Sequence, residues 1–191
     1  MIYVLHDFLP NDLFHGIKAY LNKNEFQTVV KGEKEFHIQP SYEEFNEYVA
    51  LRLSMMEGKR IKNILSFFRV ATDELDNTWR IHSDLNINGE NPDRAIVLYL
   101  SPSELHELHG TALWEHEKYG RKLPKDTTNE EYDKMIRVDA EQIEKWKLNT
   151  VVGYTENRLV SYPSAYFHSK YPNKAWKGGR QVFVMFYSHV D

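Results

Sequence analysis

The chain has 191 residues, 41% hydrophobic and 27% charged, with a formal charge of −4 at neutral pH. Such a length and composition predict one soluble globular domain, residues 1–191, with a core large enough to need no covalent staples. The absence of cysteine excludes disulfides and thiolate-held zinc or iron–sulfur sites, the acidic balance gives no support for nucleic-acid binding, and no apolar run is long enough to span a membrane.

The first residues, Met1 to Asp7, lack a basic stretch leading into an apolar one, so no signal peptide is expected and a cytoplasmic location is. Ile2 to Leu5 is a short apolar strand, followed by a turn, Asp7-Phe8-Leu9-Pro10-Asn11-Asp12, that opens a helix. Leu13, Phe14, Ile17, Tyr20 and Leu21 then recur at helical spacing. Ser41, with Glu44 three residues on, has the pattern of a capping box, and Tyr42, Phe45, Tyr48, Val49 and Leu53 form the buried stripe of the helix it would start. These opening 60 residues are expected to support a larger β unit spanning 61–191.

That unit is predicted as short strands punctuated by Gly, Pro, Asn and Asp: Ile64–Val70, Thr78–Asp84, Ala95–Leu100, Gly110–Trp114, Thr150–Gly153, Asn157–Ser161 and Gln181–Tyr187. An aromatic content of 14% fits such a β-rich core. The pattern predicts an antiparallel sandwich or barrel. Between two of its strands, about 115–148, lies a charged helical insertion with Met135, Ile136, Ile143 and Trp146 as anchors. It serves either as a loop shaping access to a site or as a solvated excursion.

Three residues carry the chemistry. On a strand, residues two apart share a face, so His82 and Asp84 in Trp79-Arg80-Ile81-His82-Ser83-Asp84 point the same way. His168, delivered from a distant strand after the turn at Pro163, supplies a second imidazole. Two imidazoles and a carboxylate on one face of a metal leave the opposite positions open, which suits non-haem Fe(II) and also accommodates Mn, Co, Ni or Zn. Arg180, after Gly178-Gly179, offers the planar paired donors that match a carboxylate. With nine histidines and 28 acidic residues an accidental H-x-D is expected, so the order and context of these residues carry the weight.

In that order and context the stretch from Trp79 to Tyr187 resembles the catalytic core of the Fe(II)- and 2-oxoglutarate-dependent dioxygenases. The motifs that carry the likeness are His82-Ser83-Asp84, Val97-Leu98-Tyr99-Leu100-Ser101-Pro102, Gly110-Thr111-Ala112-Leu113-Trp114-Glu115-His116, and Asn157-Arg158-Leu159-Val160 before His168. The latter two are similar to a bacterial and phage subgroup. The opening strand and helix, with Asp7-Phe8-Leu9-Pro10, resemble the N-terminal support of prolyl-hydroxylase-like members. The resemblance implies a mainly β (α+β) fold, a double-stranded β-helix or jelly roll with supporting N-terminal helices. It implies His82, Asp84 and His168 as Fe(II) ligands, Arg180 as partner of the distal carboxylate of 2-oxoglutarate, and Tyr99 as a second hydrogen bond to it. Val182 stands where some members have Ser or Thr, so that accessory contact is absent or made elsewhere. The carboxylate of Asp84 favours hydroxylation over halogenation. The implied activity consumes 2-oxoglutarate and O₂ and hydroxylates a C–H bond of an unidentified prime substrate, a peptidyl or free amino acid being the leaning that the support elements give.

Other residues have competing readings. Trp114 lines a pocket or fills the core; His116, with His106 and His109, forms a second metal site or lies at the surface; Arg80 meets an anion or an acidic side chain. The whole constellation also admits a cupin-like metal enzyme working without 2-oxoglutarate, which leaves Arg180 unexplained, and a non-catalytic jelly-roll module, which leaves the intact ligand set unexplained.

Overall fold

The computed structural model describes residues 1–31, 34–72, 74, 78–101, 109–124, 126–174 and 179–190. In chain order the elements are β1 (Tyr3–Leu5), α1 (Asn11–Lys23), β2 (Gln27–Lys31), β3 (Lys34–Pro40), α2 (Glu43–Glu57), β4 (Arg60–Ala71), β5 (Arg94–Tyr99) and β6 (Gly110–His116). There follow α3 (Asn129–Val138), two 3₁₀ turns (Asp139–Glu141 and Ile143–Lys145), β7 (Trp146–Gly153), β8 (Leu159–Pro163), β9 (His168–Tyr171) and β10 (Arg180–Val190). Seven strands form one sheet in the order β1-β8-β5-β10-β4-β3-β2, and three form a second, β7-β6-β9. Every named pairing is antiparallel. The predicted mainly β, jelly-roll architecture is what the chain forms.

The larger sheet is apolar on both faces because both are covered. Ile96 and Leu98 of β5, with Phe183, Met185 and Tyr187 of β10, pack outward against Phe14, Ile17 and Leu21 of α1 and Phe45, Val49 and Leu53 of α2. The alternate residues Ala95, Val97 and Tyr99, with Val160, Tyr162, Val182 and Phe186, face the smaller sheet. Period-two alternation in the strands thus sends one set to the helices and the other to the interior where the site lies. Two close approaches lock this frame. Asn157 adopts a left-handed backbone (φ 60°), and its side chain accepts from the Leu9 amide at 2.9 Å and donates to the Leu9 carbonyl at 2.8 Å. Gly110 lies where any Cβ would meet the Val152 carbonyl oxygen at 1.9 Å, so β6 and β7 close up only because that side chain is missing.

Residues 117–145, between β6 and β7, cover the outer face of the smaller sheet. Leu123, Met135 and Ala140 of this segment are buried, and the first two pack with Ile81, Ala112, Trp114, Trp146 and Phe167 in a third core. The segment is therefore packed onto the fold and is not a solvated excursion. Of its expected anchors, Met135 is buried, Ile143 is 39% exposed, and Trp146 belongs to β7 rather than to a helix. The side chain of Ile136 lies outside the described residues. No helix among the described residues is long and apolar enough to cross a membrane.

Three further expectations are corrected. Thr78–Asp84 is not a strand: its described ladder contact is one bridge, His82 to His168, because Arg80 turns into the left-handed region (φ 47°) and breaks the extended run. Ser41 does not cap α2, whose N-cap is Tyr42 without a side-chain bond; the Ser41 hydroxyl instead donates to Ser66 Oγ of β4 at 3.1 Å. The capping box lies at α3, where Thr128 Oγ1 accepts from the Glu131 amide and Glu131 accepts from the Thr128 amide. Finally, Gln27–Pro40, given no element of its own within the supporting residues 1–60, holds β2 and β3, a hairpin that extends the larger sheet beyond β4.

The aromatic contacts of Phe45 with Phe183 (ring centroids 4.8 Å) and Phe68 (5.7 Å) fix α2 to the back of β10 and β4. Phe45→Ala is expected to lower unfolding free energy by about 3–5 kcal/mol in urea titrations. A loss below about 1 kcal/mol would show that α2 does not brace the sheet.

Candidate metal centre

His168 opens β9, and its amide donates to the His82 carbonyl at 2.8 Å while the His82 amide donates to its carbonyl at 3.0 Å. In antiparallel geometry this reciprocal pair sets the two residues directly opposite, with side chains on the same face. The imidazole centroids are accordingly 4.4 Å apart. The chain stays extended for two more residues, the Asp84 amide donating to the Ser164 carbonyl at 2.8 Å, so Asp84 returns to the same face. Its carboxylate oxygens lie 3.5 Å from His82 Nε2 and 3.2 Å from His168 Nε2. One donor atom from each residue fits within 4.8 Å of the other two. The predicted trio is thus brought together even though the predicted strand is not formed.

The protonation pattern identifies what fits there. Each imidazole places Nδ1 against a carbonyl, Arg80 O at 2.6 Å for His82 and Tyr166 O at 3.0 Å for His168. A carbonyl only accepts, so the hydrogen-bond partners put a ring proton on Nδ1 in both imidazoles. Burial pushes His168 down to about 4, against the opposing pull of Asp84, and so it is neutral at pH 7. Burial also works against the charge on Asp84, but the imidazoles of His168 and His82 and the Arg69 guanidinium outweigh it and hold the carboxyl below its usual range. The His168 Nε2 lone pair therefore faces an anionic carboxylate in a buried site. A cation between them turns that unfavourable contact into a ligand set, and the carbonyl bonds at Nδ1 fix the ring orientation that a metal requires. Asp84 and His168 are buried, while the His82 side chain is 34% exposed, which leaves one side of the donor set open. The left-handed backbone at Arg80, next to this site, costs roughly 1–2 kcal/mol for a residue with a Cβ and persists only where surrounding bonds impose it.

Arg180 begins β10 and projects into the same interior. It is buried, its Nη2 donates to Thr111 Oγ1 at 3.1 Å, and its guanidinium carbon lies 5.5 Å from the Tyr99 ring centroid. Tyr99, fully buried on β5, places its hydroxyl 2.8 Å from the same Thr111 Oγ1 and 3.2 Å from the Val152 carbonyl. Burial holds the Tyr99 phenol above its ordinary value, so it remains a donor. Tyr154 stacks on Tyr99 at 4.3 Å, and the Tyr162 ring lies 4.6 Å from that of His168. Burial holds the Tyr162 phenol well above its ordinary value, and the charges of Asp84 and Arg180 both reach it.

Sequence reasoning missed Thr111, Tyr154 and Tyr162. The signal for Thr111 was its place beside Gly110, where the missing side chain lets the neighbouring strand β7 approach. Val182, at the position where a hydroxyl was absent, packs in the interior opposite Tyr99, and Thr111 brings the hydroxyl to Arg180 from the other sheet. Trp114 faces away from the site: it is buried under the 117–145 segment, and its Nε1 donates to Ser169 Oγ at 2.9 Å. Arg80 sets its guanidinium 5.6 Å from the Phe36 ring, and Arg69 lies over the same ring at 5.1 Å. Among the described residues the trio is the one group of His and acidic side chains that could hold a metal. His116 is buried against Asp139 instead, and His106 lies outside the described residues.

No protein-family model matches the sequence, and no curated protein matches it. Solved structures do. HygX from Streptomyces hygroscopicus, with nickel, 2-oxoglutarate and hygromycin B bound, is 15% identical, covers 98% of this chain and 82% of its own, and has a TM-score of 0.63. A prolyl-4-hydroxylase from Pseudomonas putida is 17% identical across 100% of this chain and 93% of its own, with a TM-score of 0.54. SnoN, a non-haem α-ketoglutarate-dependent epimerase of nogalamycin biosynthesis, is 9% identical across 98% and 78%, with a TM-score of 0.65. At these identities the likeness shows the fold, and it extends over nearly the whole chain rather than the half that the motifs covered.

His116 packs among Tyr119 (ring centroids 5.0 Å) and Trp146 (4.6 Å), with Nε2 at 3.3 Å from Asp139. Burial pushes this imidazole below its ordinary value of 6.5, outweighing the opposite pull of Asp139 and Glu117. Below about pH 6.5 the unfolded chain therefore takes up a proton that the folded chain resists, so this contribution to stability is present above that pH and falls on acidification. His116→Asn is expected to flatten the loss of unfolding free energy between about pH 6.5 and 5 relative to wild type. An unchanged slope would contradict the assignment.

Proposed function

We propose that this protein is an Fe(II)- and 2-oxoglutarate-dependent dioxygenase that hydroxylates a C–H bond of its prime substrate. The observation that carries the proposal is the buried Arg180 guanidinium facing the same interior as the His82, Asp84 and His168 donor set. The solved structures with this fold include one holding nickel and 2-oxoglutarate and one holding iron.

In this reading His82 and His168 each give an Nε2 lone pair and Asp84 a carboxylate oxygen, leaving the remaining positions of the metal open. Fe(II) held there together with 2-oxoglutarate would supply O₂ activation for the hydroxylation. Arg180 would pair with the distal carboxylate of 2-oxoglutarate. Tyr99 donates a second hydrogen bond, and Thr111, shared by Arg180 and Tyr99, orients both. Tyr154, Tyr162 and Val182 wall the space and keep water from it. Leu65, Phe67 and Val184, on the same inner face but only partly buried, mark the side from which the prime substrate approaches.

With Fe(II), 2-oxoglutarate and O₂, the protein is expected to form succinate slowly even without a prime substrate. His82→Ala and Asp84→Ala are expected to abolish this. Arg180→Ala is expected to raise the 2-oxoglutarate concentration for half-maximal rate by about tenfold or more, as loss of a charge-assisted bond implies. Succinate formation that is unaffected by all three changes would refute the proposal.

A further inference from the structure

The segment 79–84 carries two of the three donor residues, yet it has almost no strand to hold it. A backbone account of the segment shows what does. The amide and carbonyl of His82 pair with His168, the amide of Asp84 with Ser164, and the carbonyl of Arg80 with the His82 ring. Three more groups are held from residues 117–145. The Glu141 carboxylate accepts from both the Trp79 amide and the Arg80 amide, each at 2.8 Å. The Tyr132 hydroxyl of α3 donates to the Ser83 carbonyl at 2.5 Å.

We infer that Glu141 and Tyr132 are positioning residues for the metal ligands, and that the 117–145 segment braces the metal centre from behind. The inference rests on the metal-centre reading above and gives this segment its role. Two successive amides converging on one carboxylate fix the peptide plane that enters Arg80 and so impose its left-handed turn. That turn aims the Arg80 carbonyl at His82 Nδ1, which sets the ring so that Nε2 faces Asp84. One residue beyond His82, Tyr132 holds the carbonyl of the peptide that leads into Asp84. Burial keeps the Tyr132 phenol far above its ordinary value, so it is a donor throughout the working pH range. The two contacts grip the ligand pair at both ends, and the third core beneath Ile81 keeps α3 and the Asp139–Glu141 turn in place to make them.

The test is Co(II) binding to the metal-free full-length protein, followed by calorimetry and by the d–d absorption bands that report ligand geometry. Tyr132→Phe removes only the hydroxyl; Glu141→Gln keeps one acceptor oxygen and Glu141→Ala keeps none. Glu144→Ala, exposed on the same segment, is the control. Tyr132→Phe and Glu141→Ala are expected to weaken Co(II) binding by about tenfold and shift its spectrum, as loss of an outer support does. Glu141→Gln is expected to fall between, and Glu144→Ala to match wild type. Wild-type affinity and spectra in Tyr132→Phe and both Glu141 variants, alongside lost binding in His82→Ala, would overturn the brace while leaving the metal centre intact. Unchanged Co(II) binding in His82→Ala would overturn the metal centre itself. A melting temperature that falls in the variants with no change in Co(II) affinity per folded molecule would assign these contacts to packing alone and overturn the inference.

Discussion

The two backbone hydrogen bonds between His82 and His168 are the contact on which the site depends. They close the edge of the smaller sheet with a segment that is otherwise not a strand. By doing so they set two imidazoles opposite each other on the inner face. Asp84 then needs only the alternation of an extended chain to join them, with Ser164 fixing its amide. A site built this way draws on two stretches 86 residues apart, and it exists only when both sheets are in place. The fold and the donor set are therefore one structural event, seen once from the backbone and once from the side chains.

Electrostatics explain why the arrangement is buried and why it is polar. A neutral imidazole and an ionised carboxylate in contact are poor neighbours without a cation, and each is held in that state by its surroundings. Arg180 supplies a buried positive charge on the inner face, where Thr111 accepts its hydrogen bond and the Tyr99 ring lies beside it. The interior thus carries both a set of cation-binding donors and a buried guanidinium. A small dicarboxylic acid with a chelating keto group matches both, which is why the proposed cosubstrate follows from charge placement as well as from fold.

Much of this was legible in the chain because it rests on local patterns. His82 and Asp84 share a face at a separation of two, Ala95–Leu100 is a run that only a strand covered on both faces tolerates, and Arg180 sits at the entry to the last strand. What was hidden rests on partners far away. The left-handed turn at Arg80 comes from Glu141, which no periodicity connects to it. The hairpin Gln27–Pro40 lies at the edge of the sheet, where half-buried residues show no clean alternation. Ser41 and Thr128 carry the same capping pattern, and only the tertiary bond from Ser41 to Ser66 decides that the second is used and the first is not. Trp114 lay on a site strand but on its outer face, a distinction that depends on what covers that face.

The central claim is that metal donor set and Arg180 act on one molecule of 2-oxoglutarate. The direct measurement is anaerobic titration of the Fe(II)-loaded protein with 2-oxoglutarate, following the weak visible charge-transfer band of the chelate. The account predicts a saturable band that demands far more 2-oxoglutarate once Arg180 is replaced by alanine and disappears once His82 is. Fe(II) held by the protein with no band at any 2-oxoglutarate concentration would contradict it.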